Sequence, residues 1–164
     1  MKKMPKKRLA AAIIFIILAV AVAVTIFVLS SEGEALSDLR SGGVTEAILS
    51  VLGVLKGLDG QERRAVILQY NFLVRSVAHV VIFFVLALVS CFFWKFLGVK
   101  RPCLITLITS LVYAVLDEIH QIFVPGRTFE FEDILLDLLG ITLAVVLFSL
   151  IIYLKRKKGK GDKT

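Results

Sequence analysis

Uncharged apolar runs alternate with charged connections four times along this chain. Leu9 to Leu29 is twenty-one residues without a charge, enough at about 1.5 Å per residue to cross a hydrocarbon core of about 30 Å. The second run, Ser76 to Trp94, holds one titratable residue, His79, near its start. The third begins after Pro102 and is apolar to Leu116, after which Asp117, Glu118, His120 and Gln121 fall in what must be its last turns if it reaches Val124. The fourth runs from Ile134 to Leu154, with Asp137 in its first turn, and stops at the basic tail KRKKGKGDKT. The pattern predicts an all-α integral membrane protein in one domain over residues 1–164, with spans at about 9–29, 76–94, 103–124 and 134–154. The basic start KKMPKKR before the first run also suits a signal peptide. Signal h-regions are usually about 7–15 residues, so the longer run favours an uncleaved anchor, with small Ser30 and Ser31 as the counter-observation.

The connection from Ser30 to Asn71 has a pattern of its own. Thr45 suits an N-cap, followed by Ile48, Val51, Leu52, Leu55 and Leu58 on one helical face. Asp59-Gly60 reads as a turn, and Gln61 to Gln69 as a segment that runs on into the second span. We expect an amphipathic helical hairpin in the membrane interface. It would serve as a cover for the bundle or as a lid or guide for an amphiphile.

Composition agrees: 58% of the 164 residues are apolar, against about 45–50% in soluble domains, and the mean hydropathy is +0.89. A disordered chain is excluded and a simple soluble domain disfavoured. The formal charge of +7 would suit nucleic acid if it were spread over one face, but it is segregated. The N-terminal segment, the loop Lys95 to Arg101 and the C-terminal tail hold fourteen of the twenty basic residues and one acid, Asp162. The other two connections, with the adjoining ends of the third and fourth spans, hold twelve of the thirteen acids. Basic flanks stay cytoplasmic, so four spans with both termini cytoplasmic are expected, and no nucleic-acid partner. The surplus then anchors the chain to anionic lipid. Cys91 and Cys103 have neither disulfide-framework nor zinc spacing and read as packing residues.

That topology brings distant polar residues into one layer. Arg75 and His79 lie one turn apart at the outer end of the second span. Asp117, Glu118 and Gln121 end the third, the loop VPGRTFEFED carries Arg127, and Asp133 and Asp137 open the fourth. Charges inside spans are expensive and usually face the bundle interior or a wet cavity. Structural explanations compete: Asp133 and Asp137 suit a helix N-terminus by its dipole, His79 suits an interior histidine, and His120 suits a solvated or capping one. The adjacent carboxylates Asp117 and Glu118 repel each other unless a cation is close, with Arg75, His79 and Arg127 as the available partners. Ion pairs stapling the second, third and fourth spans would explain the whole set.

As chemistry, His79, Asp117 and Glu118 are the acid–base candidates, and Arg75 and Arg127 suit a phosphate or carboxylate. Gln121, Asp133 and Asp137 complete the candidate ligand contacts. Pro125-Gly126 sets a tight turn that would aim Arg127 over the site. No cofactor is called for, no spacing supports a metal, and nothing suggests a nucleophile.

The stretch DEIHQIFVPGRTFEFEDILLDLLG, Asp117 to Gly140, resembles the hallmark of the VanZ-like family. RSVAH, Arg75 to His79, is similar to that family's Arg-Lys-x-x-His, and SSEGEALSDLRS, Ser30 to Ser41, to its serine-rich segment. The chain departs from the pattern at Asp137, where Asn is common, at Ser76 for Lys, at Glu32 for Gln, and at Ile82-Phe83 for Glu-Tyr. The resemblance implies a bacterial membrane protein and a link to tolerance of the lipoglycopeptide teicoplanin, without specifying a reaction. Two readings follow: an outward-facing polar pocket that handles an amphiphile (lipoglycopeptide, lipid or lipid-linked cell-wall precursor), or a structural or partner-binding membrane protein. A small transporter is a third reading, disfavoured because four spans alone give little room for alternating access.

Overall fold

The structure is a computed structural model and describes residues 4–161. Lys2, Lys3, Asp162 and Lys163, counted above in the flanking charge, lie outside the described residues. Five α-helices follow one another, α1 (Lys6–Ser30), α2 (Glu34–Val51), α3 (Gly60–Leu97), α4 (Pro102–Gln121) and α5 (Phe131–Gly161). All but α2 are long and apolar enough to cross a membrane.

The four spanning helices are built for lipid as solvent. On α4 the side chains turned outward are Leu104, Ile108, Val112 and Leu116, while Thr106, Ser110, Ala114, Asp117, Glu118 and Gln121 are buried. The inward stripe of α1 is likewise small, with Ala12, Ala19, Ile26 and Ser30 buried among exposed Ile, Leu and Val. In a bilayer burial of apolar surface does not drive helices together, so close packing of small residues and interhelical hydrogen bonds take over. At the centre Ile26, Phe83, Leu86, Ala87, Ala114, Ile141 and Ala144 form one core. Nearer the chain termini, Phe15 of α1 stacks on Phe92 and Phe96 of α3, and Phe92 meets Phe148 of α5 edge-on. Cys91 is fully buried and both cysteines are free, as expected of packing residues.

Two ends of the bundle are chemically distinct. At the basic end Arg8 donates from Nε to the Phe96 carbonyl and from Nη2 to that of Lys95, so α1 supplies a cation to the C-terminus of α3, where the helix dipole favours it. The opposite, polar end gathers the C-termini of α1 and α4, the N-terminus of α5 and the middle of α3, with α2 packed against α3.

The sequence-based boundaries shift in four places. Thr45 is no N-cap: α2 starts eleven residues earlier, at Glu34, and Thr45 is fully buried inside it, its hydroxyl donating to the Ser41 carbonyl at 2.8 Å. The helix formers EALSDLR carry the helix through that position, and a mid-helix Thr can satisfy itself on the i−4 carbonyl. The expected apolar face divides as well: Ile48, Val51 and Leu52 are exposed and Leu55 is buried, while Leu49, outside that face, is buried too. Asp59 caps α3 through a capping box with Glu62, so the predicted run of this segment into the second span becomes one helix of 38 residues, about 57 Å long. Helix α4 stops at Gln121 rather than Val124, because the residue before Pro125 is driven out of helical geometry. Helix α5 starts at Phe131, which places Asp133 in its first turn and Asp137 in its second.

Candidate functional site

The polar residues predicted to converge do so, in two groups that share His79. The first group is a seam between α3 and α5. His79 Nδ1 lies 3.0 Å from Asp137 Oδ1 and His79 Nε2 lies 3.5 Å from Asp133 Oδ2. Each ring nitrogen therefore faces a carboxylate, the contact with Asp137 being the one at hydrogen-bond distance. The reason lies one turn deeper. Gly140 sits against the Val80 carbonyl and the Phe84 amide of α3 so closely that a Cβ would collide with α3 backbone. This approach draws the Asp133–Asp137 face of α5 onto His79. The dipole explanation for the two aspartates is insufficient, since Asp137 is 1% exposed and held across the seam.

The second group surrounds a cavity of about 230 Å³ between α1, α2, α3 and α4. Its charged lining comprises Glu32, Arg40, Arg75, His79, Asp117 and Arg127, and Gln121 and Ser30 also face it. Glu118, Asp133 and Asp137 are not part of its wall. Of the three acid–base candidates, His79 and Asp117 thus reach the cavity and Glu118 does not.

Arg75 and Arg127 do not neutralise the adjacent carboxylates. Among the described residues neither Asp117 nor Glu118 has a cation within 4 Å. Neutral donors serve them instead. Asp117 Oδ2 accepts from the Ser30 hydroxyl at 2.7 Å and from Gln121 Nε2 at 3.3 Å. Glu118 accepts from Gln121 Nε2 at 3.0 Å and from the Glu130 amide at 3.0 Å. Gln121 is the divider: its amide nitrogen faces both acids while its carbonyl oxygen accepts from Arg127 Nη1 at 3.3 Å. Arg75 pairs with Asp38 of α2 at 2.9 Å, and Arg40 pairs with Glu32. His120 leaves the site, lying 3.1 Å from the Ser31 hydroxyl and against the Phe27 ring.

Arg127 is placed by the turn that the sequence announces. Pro125-Gly126 with φ +80° at Gly126 and the Arg127 amide donating to the Val124 carbonyl make a tight turn of the kind that requires glycine at its third position. The turn locks onto the start of α2, where the Glu34 amide donates to the Pro125 carbonyl. Arg127 then reaches Ser37 Oγ at 2.9 Å and the Glu32 carbonyl at 3.4 Å. No carboxylate lies within 4 Å of its guanidinium among the described residues.

Two contributors to the site escaped the sequence reading. Ser30, there only a small residue after the first span, is 8% exposed and donates to Asp117. Ser37 holds Arg127. Their signal was positional: Ser30 continues the spacing Val22, Ile26, Ser30 on one face of α1, which the topology sets at the height of Asp117.

Fold and site together define a multi-pass helical membrane protein with buried acids and an arginine-bearing cavity at one end. The VanZ/LLP1 family model matches residues 14–153, most of the chain, and the protein belongs to this VanZ-like family. No curated protein and no solved structure matches the chain.

Proposed function

We propose that this VanZ-like protein lies in the cell membrane with both termini cytoplasmic and its polar end facing outward, where the cavity receives the head of an amphiphile. Lipoglycopeptide, lipid and lipid-linked cell-wall precursor are the candidate classes, and the phenotype is a contribution to glycopeptide (teicoplanin) tolerance. The observation that carries the reading is Arg127: a guanidinium in the wall of a cavity, held by neutral acceptors and without a carboxylate partner. A cation positioned in this way is available to an anionic group. Arg75 adds charge at the rim, and Asp117 and Gln121 supply polar contacts. If the protein is an enzyme, Asp117 and His79 are the acid–base pair that reaches the ligand. Membrane lipids are its permanent surroundings.

The staple reading has its own support in the His79–Asp133–Asp137 seam, which joins α3 to α5 and touches the cavity only through His79. The two readings therefore apply to different residues except His79, which belongs to both. Arg127→Lys, Asp117→Asn, Glu118→Gln and His79→Ala are compared for membrane level, melting in detergent and lipoglycopeptide tolerance. Arg127→Lys and Asp117→Asn lose tolerance at normal level and melting, whereas His79→Ala loses all three together. Parallel loss of level and tolerance in every variant would leave only the staple. Orientation is read with Gly60→Cys, an open position at the start of α3: an impermeant thiol reagent labels it in intact cells, and absence of labelling places the cavity on the other side.

A further inference from the structure

The cavity does not end at its polar wall. Ala78 and Ile82 of α3 line it and also line an apolar groove completed by Val22 and Thr25 of α1 and Val81 and Val85 of α3. On α1, Val22 and Thr25 continue the face that bears Ile26, Leu29 and Ser30 in the cavity, at the 3- and 4-residue spacings of one helical stripe. On α3 the stripe runs from Arg75 through Ala78 and Ile82 to Val85. These ten residues of rise are about 15 Å, half of a hydrocarbon core of about 30 Å. The charged cavity and the apolar groove between α1 and α3 thus adjoin at Ala78 and Ile82, and together they extend over about half the thickness of a hydrocarbon core.

Arg127 fixes what belongs at the top. A guanidinium has five N–H donors, and three interactions with neutral oxygens use one hydrogen on each nitrogen. One hydrogen on Nη1 and one on Nη2 are left without a partner among the described residues, and guanidinium donors of this kind serve a phosphate or carboxylate. Gln121 stands between Asp117 and Arg127, its amide nitrogen toward the acid and its carbonyl oxygen toward the guanidinium.

We infer that the protein takes its ligand sideways from the leaflet: an acyl chain lies in the α1–α3 crevice, and the anionic group at its head, phosphate or carboxylate, is held by Arg127. The inference rests on the amphiphile reading above and adds to it a route and a charge.

The test uses the full-length protein in phosphatidylcholine nanodiscs and three probes: a monoacyl phosphate and a fatty acid, each with a diazirine at mid-chain, and a choline-headed lipid with the same photoreactive chain. Cross-links are mapped by peptide mass spectrometry. The two anionic probes label the Val22–Thr25 and Val81–Val85 segments, and the choline-headed probe labels the lipid-facing surfaces without preference. Arg127→Gln lowers groove labelling by about tenfold, the loss of one charge-assisted pair of hydrogen bonds, and the ratio of phosphate to carboxylate labelling tells the two head chemistries apart. Ala78→Trp, at the junction of cavity and groove, abolishes labelling. Val85→Trp, on the exposed rim, spares the fold and cuts labelling by a long-chain probe but not by a short-chain one. Arg127-dependent labelling confined to the α4 or α5 surface would overturn the crevice while leaving a head-group cavity in place. Groove labelling unchanged in Arg127→Gln would overturn the assigned head. Arg127-dependent retention of tail-less glycerol phosphate, with no chain cross-links at all, would overturn the acyl route and leave the cavity reading intact. Labelling independent of head group and of every variant would remove both.

Discussion

Two halves of one polar layer, a few side chains apart, use their charges in opposite ways. On the α3–α5 seam, His79 is enclosed by Asp133 and Asp137, and Gly140 brings the backbones together so that nothing fits between. On the α1–α2–α4 side, Asp117 is satisfied by a serine and a glutamine, Arg127 by a carbonyl, an amide and a hydroxyl, and an open cavity remains. A histidine enclosed between two carboxylates under a backbone contact closes the structure, since a buried polar pair tolerates neither separation nor water cheaply. Arg40–Glu32 and Arg75–Asp38 pair on this side too, but Asp117 and Arg127, kept apart by Gln121, leave their remaining capacity facing the cavity. The difference teaches where ligand chemistry belongs, and Gln121 is the side chain that maintains it.

The strongest way to break the comparison is at Gly140. Gly140→Val drives a branched side chain into the α3 backbone, where no flexible side chain can yield. The cost reaches or exceeds the upper end of the ~1–3 kcal/mol usual for overpacking, read as loss of membrane level and of a cooperative melt in detergent. Asp137→Leu comes next, leaving His79 with only the longer contact to Asp133. Removing one partner of a buried pair costs about 3–5 kcal/mol, and melting falls accordingly, whereas Asp137→Asn still accepts from His79 and keeps most of the stability. Equal melting of the two variants would show that the seam is held by Gly140 packing alone. Ser30→Ala removes the shortest hydrogen bond to Asp117 and costs about 1–3 kcal/mol for the donor lost to a buried acid, with α1 at its polar end becoming more accessible to protease. The smallest stability effect belongs to Arg127→Gln, whose neutral contacts are long and partly replaceable. Its melting shifts by less than about 1 kcal/mol-equivalent while tolerance is lost, and a large melting defect would move Arg127 to the closed half.

The division between these halves was not legible in the amino-acid order. His79, Asp117, Glu118, Arg127, Asp133 and Asp137 were each visible, because a charge inside or beside an apolar run stands out against its neighbours. Their pairing was not, since it depends on the rotation of α3, α4 and α5 about their axes, and a rotation of one residue's angle exchanges a cavity-facing group for a seam-facing one. The expectation that arginines would neutralise Asp117 and Glu118 followed from charge alone and missed that Ser30, Gln121 and the Glu130 amide lie nearer. The hydrophobic pattern of the α2 segment was equally ambiguous. Thr45 suits a cap by type, yet the helix passes through it because Glu34 to Arg40 favour helix and α3 offers a surface to pack on.

By itself the sequence determined the number of membrane-crossing helices, the segregation of basic from acidic residues, the Pro125-Gly126 turn and the family. Each of these is a property of a contiguous stretch of chain, governed by the length of an apolar run, the charge of its flanks or the φ a residue permits. Only the tertiary structure decided which acids meet a histidine, which meet neutral donors, and that Arg127 meets no carboxylate among the described residues. Those outcomes rest on distances of a few ångströms between residues about 60 to 90 positions apart, set by how closely Gly140 lets α5 approach α3 and by how the turn at Gly126 locks onto the start of α2.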